Sequence, residues 1–115
     1  SSATFIPTSM TVHQLTDANF QAEVLNAEAL VLVDVWAAWC GPCRLMAPLM
    51  EWAASTYGEG LRVGKLEADP NPVVRDQLQI KGLPTLILFK AGVELARWEG
   101  AMAKPQLQAF VDAHL

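Results

Sequence analysis

The sequence predicts an α/β fold with a mixed sheet of about five strands flanked by four helices. Strand-type and helix-type segments alternate along most of the chain, and the run at 30–36 is apolar on nearly every side chain. Two strand-type segments, 85–90 and 93–99, then follow each other directly. Alternation implies parallel strands with right-handed crossovers, whereas the last pair is a hairpin that adds antiparallel strands. With 115 residues, 52% of them hydrophobic, the chain is predicted to be one domain with one core.

The first ten residues differ in composition from the rest of the chain. They are rich in Ser and Thr, with one Pro, and they contain neither the basic start nor the continuous apolar run of a signal peptide. We therefore expect a flexible N-terminal arm at 1–10 and a folded domain at 11–115. No apolar run in the chain approaches the roughly 20 residues needed to span a bilayer.

Two strands and a helix are predicted before the cysteines. Residues 11–15 are a short strand candidate. Thr16 is the expected cap of a helix over 17–26, because its hydroxyl can accept a hydrogen bond from a free N–H of the first turn. The run 30–36 is apolar on both faces except at Asp34, which is typical of a central strand covered by helices on each side.

The second half of the chain is predicted to hold three helices and three strands. A helix at 44–57 has apolar residues at helical spacing and ends at Gly58 and Gly60. Asn71 as cap and Pro72 at the first position predict the start of a short helix. The other segments are a strand at 61–67, the short helix ending near Leu78, hairpin strands at 85–90 and 93–99 joined by Ala91-Gly92, and a final helix at 104–114.

Both cysteines lie in the stretch Trp39-Cys40-Gly41-Pro42-Cys43, between the central strand and the long helix. A helix N-terminus carries free N–H groups and a partial positive charge, which favour a thiolate over a thiol. If both cysteines lie in the helix, residues three apart share a face and can form a disulfide. Cys40, expected to be the more exposed sulfur, is the candidate nucleophile, and Cys43 would then attack it to release the substrate.

Two other interpretations of the cysteine pair are a static disulfide and a metal site. A metal would need two more ligands, and the two histidines, His13 and His114, lie at opposite ends of the chain. Only a zinc or iron–sulfur site shared between two subunits would complete the set. A redox-active disulfide is the prediction that this spacing favours.

The cysteine stretch resembles the active-site segment of the thioredoxin family. Val33-Asp34-Val35-Trp36-Ala37 precedes it, Gly82-Leu83-Pro84-Thr85 is similar to the cis-proline loop of that family, and Trp98-Glu99-Gly100-Ala101 falls at its second glycine. The resemblance runs from about Thr11 to the C-terminus. It implies the thioredoxin fold and a protein-disulfide reductase that cycles between dithiol and disulfide at Cys40 and Cys43. It also implies disulfide-containing protein substrates, no bound cofactor, and a separate thioredoxin reductase as electron donor.

The resemblance also implies a reducing type of active site. Gly41 and Pro42 stand between the cysteines, whereas oxidases and isomerases of this fold usually carry a histidine in the second of these positions. The peptide before Pro84 is expected to be cis and to face the cysteines. The implied apolar docking surface consists of Trp39, Gly41, Pro42, Leu83, Pro84, Gly100 and Ala101. Three residues depart from the usual pattern: Ala68 and Glu99 replace larger or branched apolar residues, and Arg44 replaces Lys.

Asp34 is a lone carboxylate in an apolar strand. Burial disfavours its charge and raises its pKa, so it could take the proton that Cys43 must lose, through a water. The alternative is that Asp34 points to solvent at a strand edge. Lys65, on the neighbouring strand, matches a family lysine close to this aspartate and is expected to modulate it. Trp36 is expected to be structural, beneath the active-site helix.

Composition limits the remaining function classes. The net charge of −4 provides no basic patch for nucleic acid or an anionic membrane. The glycines at Gly58 and Gly60 lead into a strand and do not form a dinucleotide fingerprint, so the chain should bind neither NADPH nor flavin. Two cysteines in a single pair suit a reducing compartment, and we expect a cytoplasmic monomer. The rival functions are an oxidant or isomerase on the same fold, and a binding module that uses the docking face without redox chemistry.

Overall fold

The computed structural model describes residues 11–115, and the predicted arm at 1–10 lies outside the described residues. One five-stranded sheet runs through this part of the chain, in the order β1-β3-β2-β4-β5. Strands β1, β2 and β3 are parallel, β4 is antiparallel to β2, and β5 is antiparallel to β4. This confirms the predicted mixed α/β sheet. The strands are β1 Val12–Leu15, β2 Leu30–Trp36, β3 Leu61–Glu67, β4 Thr85–Lys90 and β5 Val93–Glu99.

Within residues 11–115, a π-helical segment Gln21–Leu25 and three α-helices flank the sheet: α1 Cys43–Tyr57, α2 Pro72–Gln77 and α3 Lys104–Asp112. A short 3-10 turn, Gly58–Gly60, follows α1 directly. Helix α1 begins one residue earlier than predicted, and α3 ends two residues earlier. Within residues 11–115, no helix combines the length and the apolar character that crossing a membrane requires.

The first helix differs from the prediction of a regular helix over 17–26. The Thr16 hydroxyl accepts a hydrogen bond from the Asn19 N–H at 3.2 Å, as expected of a capping residue. Turns occupy 17–19, however, and the N–H of Asn26 donates to the carbonyl of Gln21, five residues back. The Gln21 side chain also donates to the Asn26 side chain at 2.9 Å. This local side-chain pair accompanies the wider π-helical turn.

Asn71 is the N-cap residue of α2 and Pro72 follows it, as predicted, but the capping hydrogen bonds come from another side chain. The side chain of Asn71 makes no cap hydrogen bond; it accepts from the N–H of Asp17 and donates to the carbonyl of Glu67. The carboxylate of Asp17 accepts instead from the N–H groups of Val73 and Val74, at 3.2 and 2.8 Å. A charged acceptor at the positive end of a helix makes a stronger hydrogen bond than a neutral amide, which explains this arrangement.

The single core that the sequence predicted is divided by the sheet into two apolar cores on its opposite faces, and β2 contributes to both. Leu30 and Leu32 belong to the core beneath α1 and α3, whereas Val31, Val33 and Val35 belong to the core on the other face. Because side chains alternate along a strand, Asp34 and Trp36 follow Leu32 on the face beneath α1. The sheet therefore presents a carboxylate and an indole to the underside of α1.

The β4–β5 hairpin has the turn that the sequence predicted. Ala91 and Gly92 both have positive φ, at 51° and 80°. Positive φ at both central residues matches the twist of the flanking strands and is easiest for glycine. A Cβ atom at Gly92 would lie 2.9 Å from the carbonyl oxygen of Leu25, so this position has no room for a side chain.

Candidate active site

The two cysteines form a disulfide at the junction of β2 and α1. Cys43 is the first residue of α1, whereas Cys40 precedes the helix, and their Cα atoms are 5.4 Å apart. The expectation that both cysteines lie in the helix is therefore wrong for Cys40. The N–H of Cys43 donates to the Sγ of Cys40 at 3.2 Å. A free N–H at the positive end of α1 thus points at the Cys40 sulfur, where it stabilises a negative charge.

Both cysteine residues are buried in the disulfide form, to nearly the same extent. Cys40 is 5% exposed and Cys43 is 4% exposed. Both cysteines pack in a small cluster with Ala37, against which Trp36 and Leu83 also pack. What distinguishes Cys40 is therefore the hydrogen bond that its sulfur accepts.

The docking residues from the resemblance surround this cluster. Trp39 is 70% exposed, and its indole N–H donates to Asp69 Oδ2 at 2.8 Å. The Leu83–Pro84 peptide is cis, as the resemblance implied, and the carbonyl of Pro84 accepts from the N–H of Gly100 at 2.7 Å. Pro84 itself is buried, so it supports the surface from below. Gly41, Pro42 and Ala101 are exposed, and Leu83 and Gly100 are partly buried.

Asp69 is a member of the site that the sequence analysis missed. It comes two residues after the end of β3, next to the strand that ends before the cysteines. The carboxyl ends of parallel strands meet at one edge of a sheet, and polar residues just after them gather there. That placement is the signal that could have found it.

Asp34 is buried, and the alternative that it points to solvent is wrong. Its side chain lies on the α1 face of β2 and is 1% exposed. Desolvation by this burial raises the pKa of Asp34 to about 7, while the positive charge of Lys65 acts in the opposite direction and lowers it. A carboxyl with this pKa can gain or lose a proton near neutral pH.

A cavity of about 120 Å³ joins the carboxyl to the second cysteine. Lys65 is the register partner of Asp34 on β3, and its Nζ atom lies 5.0 Å from the ring centroid of Trp36. Charged groups from β3 and α1 thus reach the same space as the carboxyl. The cavity is lined by Asp34, Trp36, Ala37, Ala38, Cys43, Arg44, Ala47 and Lys65.

The histidines lie outside this group. His13 Nδ1 is 3.6 Å from Glu23, and the ring of His114 contacts the Phe110 carbonyl at 3.0 Å. Among residues 11–115 no three His, Cys, Asp or Glu side chains are arranged to hold a metal ion.

Comparison with known proteins identifies the family. The family model for thioredoxin matches residues 11–113. The chain belongs to the thioredoxin family. It is 48% identical to a thioredoxin of Acidithiobacillus ferridurans over 101 residues, which cover 88% of this chain and 94% of that protein. It is also 48% identical to a thioredoxin-like protein of Synechocystis sp. over 106 residues (92% and 97%), and 46% identical to a thioredoxin of Pseudomonas aeruginosa over 101 residues (88% and 94%).

Membership of the thioredoxin family makes the chain a thiol–disulfide oxidoreductase whose redox group is a disulfide between two of its own cysteines. The family implies disulfide-bearing substrates and a thioredoxin reductase in general. The three residues that the resemblance singled out as departures lie close to the site, and Arg44 lines the cavity with Asp34 and Cys43. Ala68 is 3% exposed and lines a groove beside Trp39, and Glu99 is exposed at the end of β5, one residue before Gly100.

Proposed function

We propose that this thioredoxin-family chain works in the reducing direction, with Cys40 as nucleophile, Cys43 as resolving thiol and Asp34 as the proton acceptor. The observation that carries the proposal is the hydrogen bond from the Cys43 N–H to Cys40 Sγ. This donor favours the thiolate of Cys40, because a backbone N–H at the positive end of α1 stabilises negative charge on the sulfur that it contacts.

In the first step, the Cys40 thiolate attacks one sulfur of the substrate disulfide. The Cys40–substrate bond forms, the substrate S–S bond breaks, and the departing substrate thiolate takes a proton from solvent. The Cys43 N–H remains positioned at Cys40 and helps to hold its sulfur in place during the exchange. The product of this step is a mixed disulfide.

In the second step, Cys43 loses its proton and attacks Cys40 Sγ. Asp34 accepts that proton, and the shared cavity of about 120 Å³ has room for a connecting water. The Cys40–Cys43 bond forms, the mixed disulfide breaks, and the second substrate thiolate leaves. Lys65 tunes Asp34 through its charge. Two electrons pass to the substrate, and the chain is left oxidised.

Substrates dock on the apolar surface around the disulfide. The exposed Trp39 is held by Asp69, which limits the rotation of its indole and lowers the entropy cost of contact. The backbone of Leu83 is offered to an extended substrate segment by strand addition. The proposed surface also includes Gly41, Pro42, Gly100 and Ala101, with the buried Pro84 supporting it from below.

A separate thioredoxin reductase, the electron donor that the family implies in general, returns the disulfide to the dithiol. We further propose that the protein acts as a monomer in the cytoplasm, on disulfide-containing proteins and not on nucleic acid or at a membrane. The net charge of −4 supports the exclusion of nucleic acid and of anionic membranes, and the single pair of cysteines supports a reducing compartment.

The reduction potential of the Cys40–Cys43 pair tests the direction of the reaction. Equilibration in graded thiol–disulfide buffers, followed by tryptophan fluorescence, should give a value near the roughly −270 mV that is typical of thioredoxin itself. Trp36 packs against the cysteines and is expected to report the transition. A value near −180 mV or above would instead assign the chain to the oxidants or isomerases, and no reversible transition would leave a binding module.

Glu99 is expected to select against acidic substrates. Replacing it by Val should raise kcat/KM about two- to five-fold for a peptide disulfide flanked by Glu, and should leave a Lys-flanked peptide unchanged or slower, because one exposed charge at a rim contributes about 0.5–1 kcal/mol. The control variant is Glu28→Gln, an exposed carboxylate two residues before the start of β2 and so at the opposite end of that strand from the cysteines. Equal changes for both peptides in Glu99→Val would contradict this role.

A further inference from the structure

Trp36 and Lys65 form a contact beside the proton-accepting carboxyl. Asp34 and Trp36 are two residues apart on β2 and therefore share the α1 face, and Lys65 is opposite Asp34 on β3. The Lys65 Nζ atom lies 5.0 Å from the ring centroid of Trp36, within the range in which an ammonium is attracted to the face of an indole. All three residues line the same cavity as Cys43.

The indole ring of Trp36 is a direct contact of the Lys65 ammonium. Within residues 11–115, no carboxylate oxygen lies within 4.0 Å of Lys65 Nζ, so the lysine influences Asp34 through space and not through an ion pair. A lysine side chain has a flexible four-carbon stem and would otherwise occupy many positions at a half-buried site. The strength of its effect on Asp34 then depends on what holds the ammonium near the cavity.

We propose that Trp36 is a positioning residue, which holds the Lys65 ammonium at the cavity shared by Asp34 and Cys43 and so sets the proton affinity of Asp34. The inference rests on the proposed function for its role in turnover, but the contact and its effect on Asp34 can be measured without turnover. Trp36 thereby has a second task besides the packing that the sequence suggested.

The alternative is that Trp36 only packs against the cysteine cluster. A single substitution does not separate these roles, because a smaller side chain also admits water to Asp34. Water would lower the pKa of Asp34, whereas a displaced Lys65 would raise it. The charged and titratable groups that line the cavity with Asp34 are Lys65 from β3 and Arg44 and Cys43 from α1; from β4, the neutral Leu86 pairs with Asp34.

A double-mutant cycle isolates the contact. The pKa of the Asp34 carboxyl is followed by its carbon chemical shift in the oxidised full-length protein, for wild type, Trp36→Leu, Lys65→Met and the double variant. The water that Trp36→Leu admits changes the pKa of Asp34 both with Lys65 and with Met in its place, so this effect cancels in the difference between the two shifts. We expect Trp36→Leu to shift the pKa upward by about 0.3–0.7 pH unit more when Lys65 is present than when Met replaces it. A difference of zero or of opposite sign would overturn the proposal.

A second measurement needs no substitution and therefore does not depend on a variant that folds. Protons above an aromatic ring face are shifted upfield, so the Cε protons of Lys65 should be upfield of those of the exposed Lys90. Lys104 is the positive control, because its Nζ lies 4.7 Å from the ring centroid of Trp52. An unshifted Lys65 beside a shifted Lys104 would show that the ring does not hold the lysine. Neither experiment depends on Asp34 being the base, so a failure of the proposed function would be seen separately, in the rate of the resolving step.

Discussion

The substitution Cys43→Ser is expected to convert the protein from a turnover catalyst into a covalent trap for its substrates. Cys40 keeps the N–H donor at its sulfur, since that donor is the backbone of residue 43, and it still attacks a substrate disulfide. A serine hydroxyl cannot resolve the mixed disulfide. Multiple-turnover reduction should fall by at least about 1,000-fold, while a stable adduct of one chain and one substrate forms. Non-reducing gels and intact mass spectrometry measure the adduct directly.

The matched control is Cys40→Ser, which removes the nucleophile and keeps the second cysteine. It should lose turnover to the same extent and form little adduct. The pair of variants also separates redox chemistry from simple docking. If both variants bound substrates equally, without a covalent adduct and without loss of the protein's effect, the chain would be a binding module. If Cys40→Ser formed the adduct and Cys43→Ser did not, the assignment of the two sulfurs would be reversed.

Much of the fold could be predicted because its signals are local. The apolar run of β2, the glycines after α1 and the Ala91-Gly92 turn each determine structure through neighbouring residues. The errors occurred where a distant group decides. Asn71 is the N-cap residue of α2, but the Asp17 carboxylate, 57 positions from Val74, accepts the hydrogen bond of the first turn, and no pattern around Asn71 could have indicated this.

The candidate site shows the same division. The disulfide follows from two cysteines three positions apart, and the burial of Asp34 follows from the apolar residues around it on β2. The hydrogen bond between Trp39 and Asp69 joins residues 30 positions apart, and the contact between Lys65 and Trp36 depends on the strand register. Composition and periodicity do not determine register, so these contacts required the structure. The position of Cys40 before the helix also depended on where α1 begins, which sequence patterns locate only to within a residue or two.

Asp34→Ala is expected to stabilise the oxidised protein in a pH-dependent way. The carboxyl has a pKa of about 7 in the fold and near 3.8 in the unfolded chain, so the folded state keeps its proton after the unfolded state has lost it. The contribution of Asp34 to the free energy of unfolding should therefore become less favourable as pH rises from about 4 to 7, and it should stay constant above that. Removal of this carboxyl in Asp34→Ala should raise the free energy of unfolding by less than about 1 kcal/mol at pH 4. The increase should approach about 4 kcal/mol at pH 8.

Denaturant unfolding of both proteins at pH 4, 6 and 8 measures this difference. The control is Asp76→Ala, because the Asp76 side chain is 75% exposed and no comparable desolvation acts on it. A gain that is the same at all three pH values would show that Asp34 is not held protonated by burial. The change in the gain with pH is the decisive quantity, since removing the packing of the side chain changes the free energy of unfolding equally at each pH.

At neutral pH, where Asp34→Ala should be more stable than the wild type, its resolving step should be slower. A loss of rate together with a gain in stability distinguishes a functional carboxyl from a structural one. Without Asp34 the proton of Cys43 has no buried acceptor, so resolution of the mixed disulfide should slow at neutral pH and recover as hydroxide replaces the base. Stopped-flow fluorescence between pH 6 and 9 follows this step. A stability gain with an unchanged resolving rate would mean that burial raises the pKa of Asp34 without a role in proton transfer. If Asp34→Ala stabilises the protein and also slows the resolving step, the buried carboxyl lowers stability but is needed for catalysis.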